Sequence, residues 1–126
     1  MSARVVHFEV PFDDADRARS FYRDVFDWQI NEMPEMQYNI VSTGPTSDEG
    51  MPSEPGFIGG GMMQRQAPVS TPVITLAVDD IDATLIAVEK HGGSKVGDKM
   101  QVGDMGFAAY FNDSEGNLMG LWQNAG

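Results

Sequence analysis

"HFEVPFDD", His7 to Asp14, and "VITLAVDD", Val73 to Asp80, align without a gap so that two aspartate pairs coincide, and the organisation of the whole chain follows from that coincidence. Polar and apolar residues alternate through the first stretch as they do along a half-buried strand. Both stretches end in an acidic pair suited to open a helix, because an Asp carboxylate accepts the first free backbone N–H groups and complements the positive end of the helix. Behind Asp13 and Asp14, Ala15, Ala18, Phe21, Tyr22, Val25 and Phe26 recur at helical spacing, with Arg17, Arg19, Arg23 and Asp24 mostly on the other face. Behind the second pair, Ile81, Leu85 and Val88 mark a helix face, and Gly92 and Gly93 end it after Lys90 and His91. His91, one of only two histidines, therefore reads as a capping residue.

Three strands follow each helix. In the first half they are Trp28 to Met33, Tyr38 to Thr43 after the turn "MPEMQ", and Phe57 to Arg65, "FIGGGMMQR". In the second half they are Lys95 to Val102, Phe107 to Asn112, and Leu118 to Gln123 beyond "DSEGN". Between the halves, "GPTSDEGMPSEPG", Gly44 to Gly56, has three prolines, three glycines and three acids and almost nothing to bury, so it reads as a loop laid over the domain as a lid. The expectation is one α+β domain over residues 1–126, built from two tandem βαβββ units, 4–65 and 73–123, that form a cup-shaped mixed sheet. Each unit leaves one sheet face it cannot cover alone, so pairing two units makes a core. Trp28 and Phe26 read as core residues.

Composition narrows the function classes. With 41% hydrophobic and 21% charged residues the chain is typical of a soluble globular protein, and no apolar run reaches the roughly 20 residues that span a bilayer. Its start lacks the pattern of a signal peptide and it has no Cys, which points to the cytoplasm and removes disulfides, Cys-ligated metals and a cysteine nucleophile. A formal charge of −11 repels phosphate backbones and anionic lipid, so neither nucleic acid nor a membrane is the expected partner. No GxGxxG after a strand, no GKS/T loop and no HExxH is present.

The duplicated unit, with "HFEVPFDDADRARSFYRDVFDW" at the start and "AAYFNDSEGNLMGLWQ" at the end, resembles the vicinal oxygen chelate superfamily of glyoxalases, bleomycin-resistance proteins and extradiol dioxygenases. The resemblance covers essentially the whole chain. It implies that each unit curls into half of a cup, and that metal-using members carry inward-facing ligands on the first and last strand of each unit. On that pattern His7 occupies the first ligand position and Val73 its counterpart. Gly120 stands where the family often has Glu, and Gly59 or Gly60 at the matching place in the first unit. One ligand of four remains. A divalent ion needs about three protein ligands, so no metal cofactor is expected, although Glu9, two residues from His7 on the same strand face, could add a carboxylate.

Three roles stay open for His7: a buried polar group bonded to Glu9, Gln64 or Gln123; a group that orients a ligand's carbonyl or hydroxyl; or, paired with Glu9, a catalytic acid–base that moves a proton next to a carbonyl. Around it, Tyr38, Phe57, Met62, Gln64, Met105, Phe107, Tyr110 and Trp122 are the candidate ligand-binding residues, and with Met63, Met100, Met119 and Gln123 they are expected to line an apolar cavity with a few polar points. The glycines at 59 to 61 weaken their strand unless a ligand or the other half packs on the bare backbone. The function expected is small-molecule binding of the glyoxalase and bleomycin-resistance type, as a homodimer and without the usual metal centre. The alternative is a lyase or isomerase acting on a small carbonyl compound.

Overall fold

Asp14 and Asp80 open the two helices as the aligned stretches require. The computed structural model describes residues 2–48 and 51–126, so Glu49 and Gly50 of the predicted loop lie outside the described residues. Helix α1 runs Ala15–Phe26, and Asp14 accepts from Arg17 N at 3.0 Å. Helix α2 runs Ile81–Lys90, and Asp80 accepts from Ala83 N at 3.1 Å. His91 caps α2 through its backbone N–H, which donates to Ala87 O and Val88 O, and Gly92 takes the left-handed conformation that lets the chain leave. Among the described residues no helix is long and apolar enough to cross a membrane.

The strands are β1 Val5–Phe12, β2 Gln29–Met33, β3 Tyr38–Ser42, β4 Gly59–Gln64, β5 Val73–Ala77, β6 Ser94–Val102, β7 Gly106–Asn112 and β8 Leu118–Asn124. Among the described residues two α-helices and eight strands, with a 3-10 turn at Pro34–Met36, give the α+β class in two βαβββ units. The chain's contacts divide it into an amino-terminal unit, residues 7–72, and a carboxy-terminal unit, residues 73–126 with the first residues through Val6.

In the amino-terminal unit the strand order is β2-β3-β4-β1, antiparallel except for the parallel pair β1 and β4. Phe8, Val10 and Phe12 alternate onto the helix side, where Phe12, Ile30, Val41 and Met62 form the core with Ala15, Ala18, Tyr22 and Trp28 packed against it. Arg23 fastens the helix by donating to Ile30 O at 2.6 Å. The expected apolar stripe of α1 is only partly covered: Trp28 stacks on Tyr22, but Phe26 is 56% exposed and not core, because Phe21, Val25 and Phe26 fall on the flank that faces away from the strands. The loop after β3 folds on itself through Ser47 N to Met51 O and Ser53 N to Pro45 O, and Phe57 returns over the bare Cα of Gly44.

The carboxy-terminal unit repeats the plan as β5-β8-β7-β6, with β5 and β8 parallel. Its core, Ile81, Leu85, Ala109, Phe111 and Leu121, lies on the helix side, joined by Leu76, Val78, Val88, Phe107 and Met119. Gln64 and Gln123, three residues beyond Gly61 and Gly120, each tie the last strand of a unit to its helix start. Gln64 donates to Asp13 O at 3.3 Å, and the Gln123 side-chain oxygen accepts from Ile81 N at 2.8 Å.

Candidate functional site

The helix-free face of the amino-terminal unit carries the polar chemistry. His7 and Glu9 point to that face because Phe8 and Val10 between them point to the core. Tyr38, at the start of β3, reaches the same face: its hydroxyl lies 2.8 Å from His7 Nε2 and donates to Glu9 Oε2 at 2.8 Å. The His7 and Tyr38 rings are nearly parallel, 16° apart. Glu9 is only 9% exposed, and the Tyr38 hydroxyl gives its carboxyl group a hydrogen-bond partner within the protein. Burial pushes the His7 imidazole below its ordinary value of 6.5, and the Glu9 carboxylate partly opposes that.

Glycine makes this arrangement fit. Glu9 stands opposite Gly61 in the β1–β4 register, and Ile40 stands opposite Gly61 in the β3–β4 register. A Cβ on Gly61 would fall inside the phenol of Tyr38, and one on Gly60 would meet the Phe8 ring. The occupants of the bare strand are thus aromatic side chains of the same unit, where a ligand or the other half had been expected.

The registers also correct the family alignment by a residue or two. Gly61 faces Glu9 as Gly120 faces Thr75, so Gly61, and not Gly59 or Gly60, is the counterpart of Gly120. The second unit has no acid–base pair at the equivalent place. Val73 replaces His7 and Thr75 replaces Glu9, and Thr75 Oγ1 lies 2.7 Å from where a Gly120 Cβ would be.

Of the residues expected to bind a ligand, the structure brings Tyr38 to His7 and Glu9. Met62 is fully buried in the core on the helix side, and Gln64, of the same parity, is the strand-to-helix tie, so neither stands on the His7 face. Met63 does, by alternation from Gly59 and Gly61. That parity was the available signal, since one residue along a strand changes the face. Phe57 precedes β4 and lies over Gly44. In the carboxy-terminal unit, Phe107 packs on the helix-side core under Lys99, whose Nζ is 5.0 Å from the ring centroid. Met105 sits in the turn before β7 and is 61% exposed. Tyr110 and Trp122 lie on that unit's helix-free face by alternation with Ala109 and Leu121, and Trp122 Nε1 donates to Asn124 at 2.7 Å. Within its unit, His7 bonds the Tyr38 hydroxyl while Gln64 bonds Asp13 O, and Glu9 meets His7 through that hydroxyl and through the pull of its charge on the imidazole.

In the amino-terminal unit one His and one Glu stand beside each other. Among the described residues no three of His, Cys, Asp and Glu come together. The two candidates that are neighbours, His7 and Glu9, are bridged by a phenol hydroxyl, and Val73, Gly61 and Gly120 have no donor side chain.

Residues 4–44 match the family model described as the bleomycin resistance protein-like N-terminal domain. A glyoxylase-like domain-containing protein of Didymella fabae is 29% identical over 131 residues, covering 100% of this chain and 98% of that protein. Among solved structures, a variant of Streptomyces coelicolor methylmalonyl-CoA epimerase in complex with 2-nitronate-propionyl-CoA superposes with a TM-score of 0.68 at 18% identity over 100% of both chains. A glyoxalase/bleomycin resistance protein/dioxygenase superfamily member from Vibrio splendidus 12B01 superposes with a TM-score of 0.60 at 17% identity, over 98% of this chain and 99% of that one. Repeated βαβββ units give this chain the fold of these structures, and the amino-terminal match and the full-length glyoxylase-like relative are what it resembles in sequence.

Proposed function

We propose that this protein binds a small organic molecule through the His7–Tyr38–Glu9 face without a divalent metal. The observation that carries the reading is the phenol bridge: the imidazole and carboxylate that could begin a metal site are joined to Tyr38 at 2.8 Å each, which makes them a hydrogen-bonding surface. The acidic surface suits a neutral or cationic ligand, and the reading includes a homodimer in the cytoplasm. Two measurements test it. Elemental analysis of protein purified without chelator is expected to find no stoichiometric divalent ion; one that is lost in His7→Ala would overturn the reading. A thermal-shift screen of aromatic and carbonyl compounds is expected to give stabilising ligands, since about 100 Kd of a ligand that binds only the native state adds roughly 2.7 kcal/mol.

The same bridge favours a second reading, a metal-free lyase or isomerase in which His7 and Glu9 exchange a proton with a carbon next to a carbonyl. Superposition on a methylmalonyl-CoA epimerase supports this as a reaction class. Exchange of such protons for deuterium, catalysed by the wild type and lost in His7→Gln, separates it from binding alone.

A further inference from the structure

We propose that Tyr38 locks His7 in its Nε2–H tautomer, so that the site offers the bare Nδ1 lone pair of a neutral imidazole as an acceptor for a ligand that donates O–H or N–H. The ligand half of this inference rests on the binding function proposed above; the tautomer half does not.

A phenol has one proton, and an ionised carboxylate only accepts. The Tyr38 hydroxyl donates to Glu9 Oε2, so that proton is committed. The contact between the Tyr38 oxygen and His7 Nε2 at 2.8 Å then needs its proton from the imidazole. A neutral imidazole protonated on Nε2 has its lone pair on Nδ1. Nδ1 of His7 hydrogen-bonds to no described residue, and no buried side-chain nitrogen or oxygen among the described residues lacks a partner, so Nδ1 is open to solvent or ligand. Burial also disfavours the imidazolium, which has no acceptor to offer. Gly61 is the seat of the lock, because a side chain there would occupy the space of the phenol.

The consequence is a selection rule. Ligands that present a hydroxyl or N–H to this face are bound, and those with only acceptors leave Nδ1 unmatched. Nitrogen-15 NMR of His7, recorded above its titration, reads the tautomer directly without a ligand. The wild type should show pyrrole-type Nε2 and pyridine-type Nδ1 as a single form, and Tyr38→Phe, which keeps the ring on Gly61, should give a mixture. A wild type dominated by the Nδ1–H form, or a tautomer ratio unchanged in Tyr38→Phe, overturns the proposal whatever binds. Phenol and anisole, titrated separately, test the ligand half. Phenol is expected to bind roughly five-fold tighter or more and to move the Nδ1 resonance, since one net hydrogen bond separates the two probes. Equal binding of both would overturn the acceptor role and leave the binding function standing.

Discussion

Replacing Gly61 with alanine should destabilise the protein only while Tyr38 is present. The added Cβ would fall inside the Tyr38 ring and hydroxyl, and these are the nearest atoms to it. Gly61 is paired on both sides, to Glu9 and to Ile40, so the strand cannot step back and the phenol must leave. Its departure loses a bond to a carboxylate and a bond to an imidazole, roughly 3 kcal/mol together. Alanine in a strand interior recovers roughly 0.5–1 kcal/mol relative to glycine, so the net cost is about 2 kcal/mol. For a chain of 126 residues that lowers Tm by about 8 °C. In a Tyr38→Ala background the obstruction is gone, and Gly61→Ala should become neutral or stabilising by up to about 1 kcal/mol. Urea unfolding of the four proteins gives the coupling energy directly. An equal cost in both backgrounds would refute the claim that the glycine exists to seat the phenol.

Three further outcomes are expected. Met62→Ala, at a position with 0% exposure, should cost about 2–4 kcal/mol in urea unfolding while leaving the His7 resonances in place, because it lies on the helix side of β4. The His7 imidazole is held below its ordinary 6.5, so as pH falls through that value the unfolded chain takes up a proton before the native one does. Its contribution to stability is therefore present above about pH 6.5 and is lost toward lower pH; the urea midpoint should fall as the pH is lowered through that value, and a profile equally steep in His7→Gln would assign the slope elsewhere. Asp80→Ala removes the acceptor for Ala83 N and should cost about 1 kcal/mol, read from the thermal midpoint.

The repeat was legible in the sequence because its markers are local. An acidic pair, a helical stripe and turn-forming residues each act within a few positions, and the two copies reinforce each other. The site was legible only in part, because it is assembled by register. His7 and Glu9 share a strand and were paired by spacing alone. Tyr38 reaches them across β4 from another strand, and only the pairing of Ile40 and Glu9 with Gly61 reveals that the phenol crosses a bare backbone. Met62 and Met63 were both placed around the ligand, though adjacent strand residues face opposite sides, because strand parity needs a fixed start and the three glycines conceal where β4 begins. Phe26 was read as core from periodicity, yet a stripe spread around α1 exceeds the width that one sheet face can cover.

Gln64 and Gln123 have a bearing on how such a protein can diverge. Each buckles its helix to the last strand of its own unit using an atom on the helix side or at the strand's end, away from the face that carries His7 and Glu9 in one copy and Val73 and Thr75 in the other. The face can be rewritten residue by residue while the buckle stays closed, and the two copies in this one chain are already an instance: one frame holds the hydrogen-bonded His7, Tyr38 and Glu9, and its repeat holds the buried Val73 and Thr75.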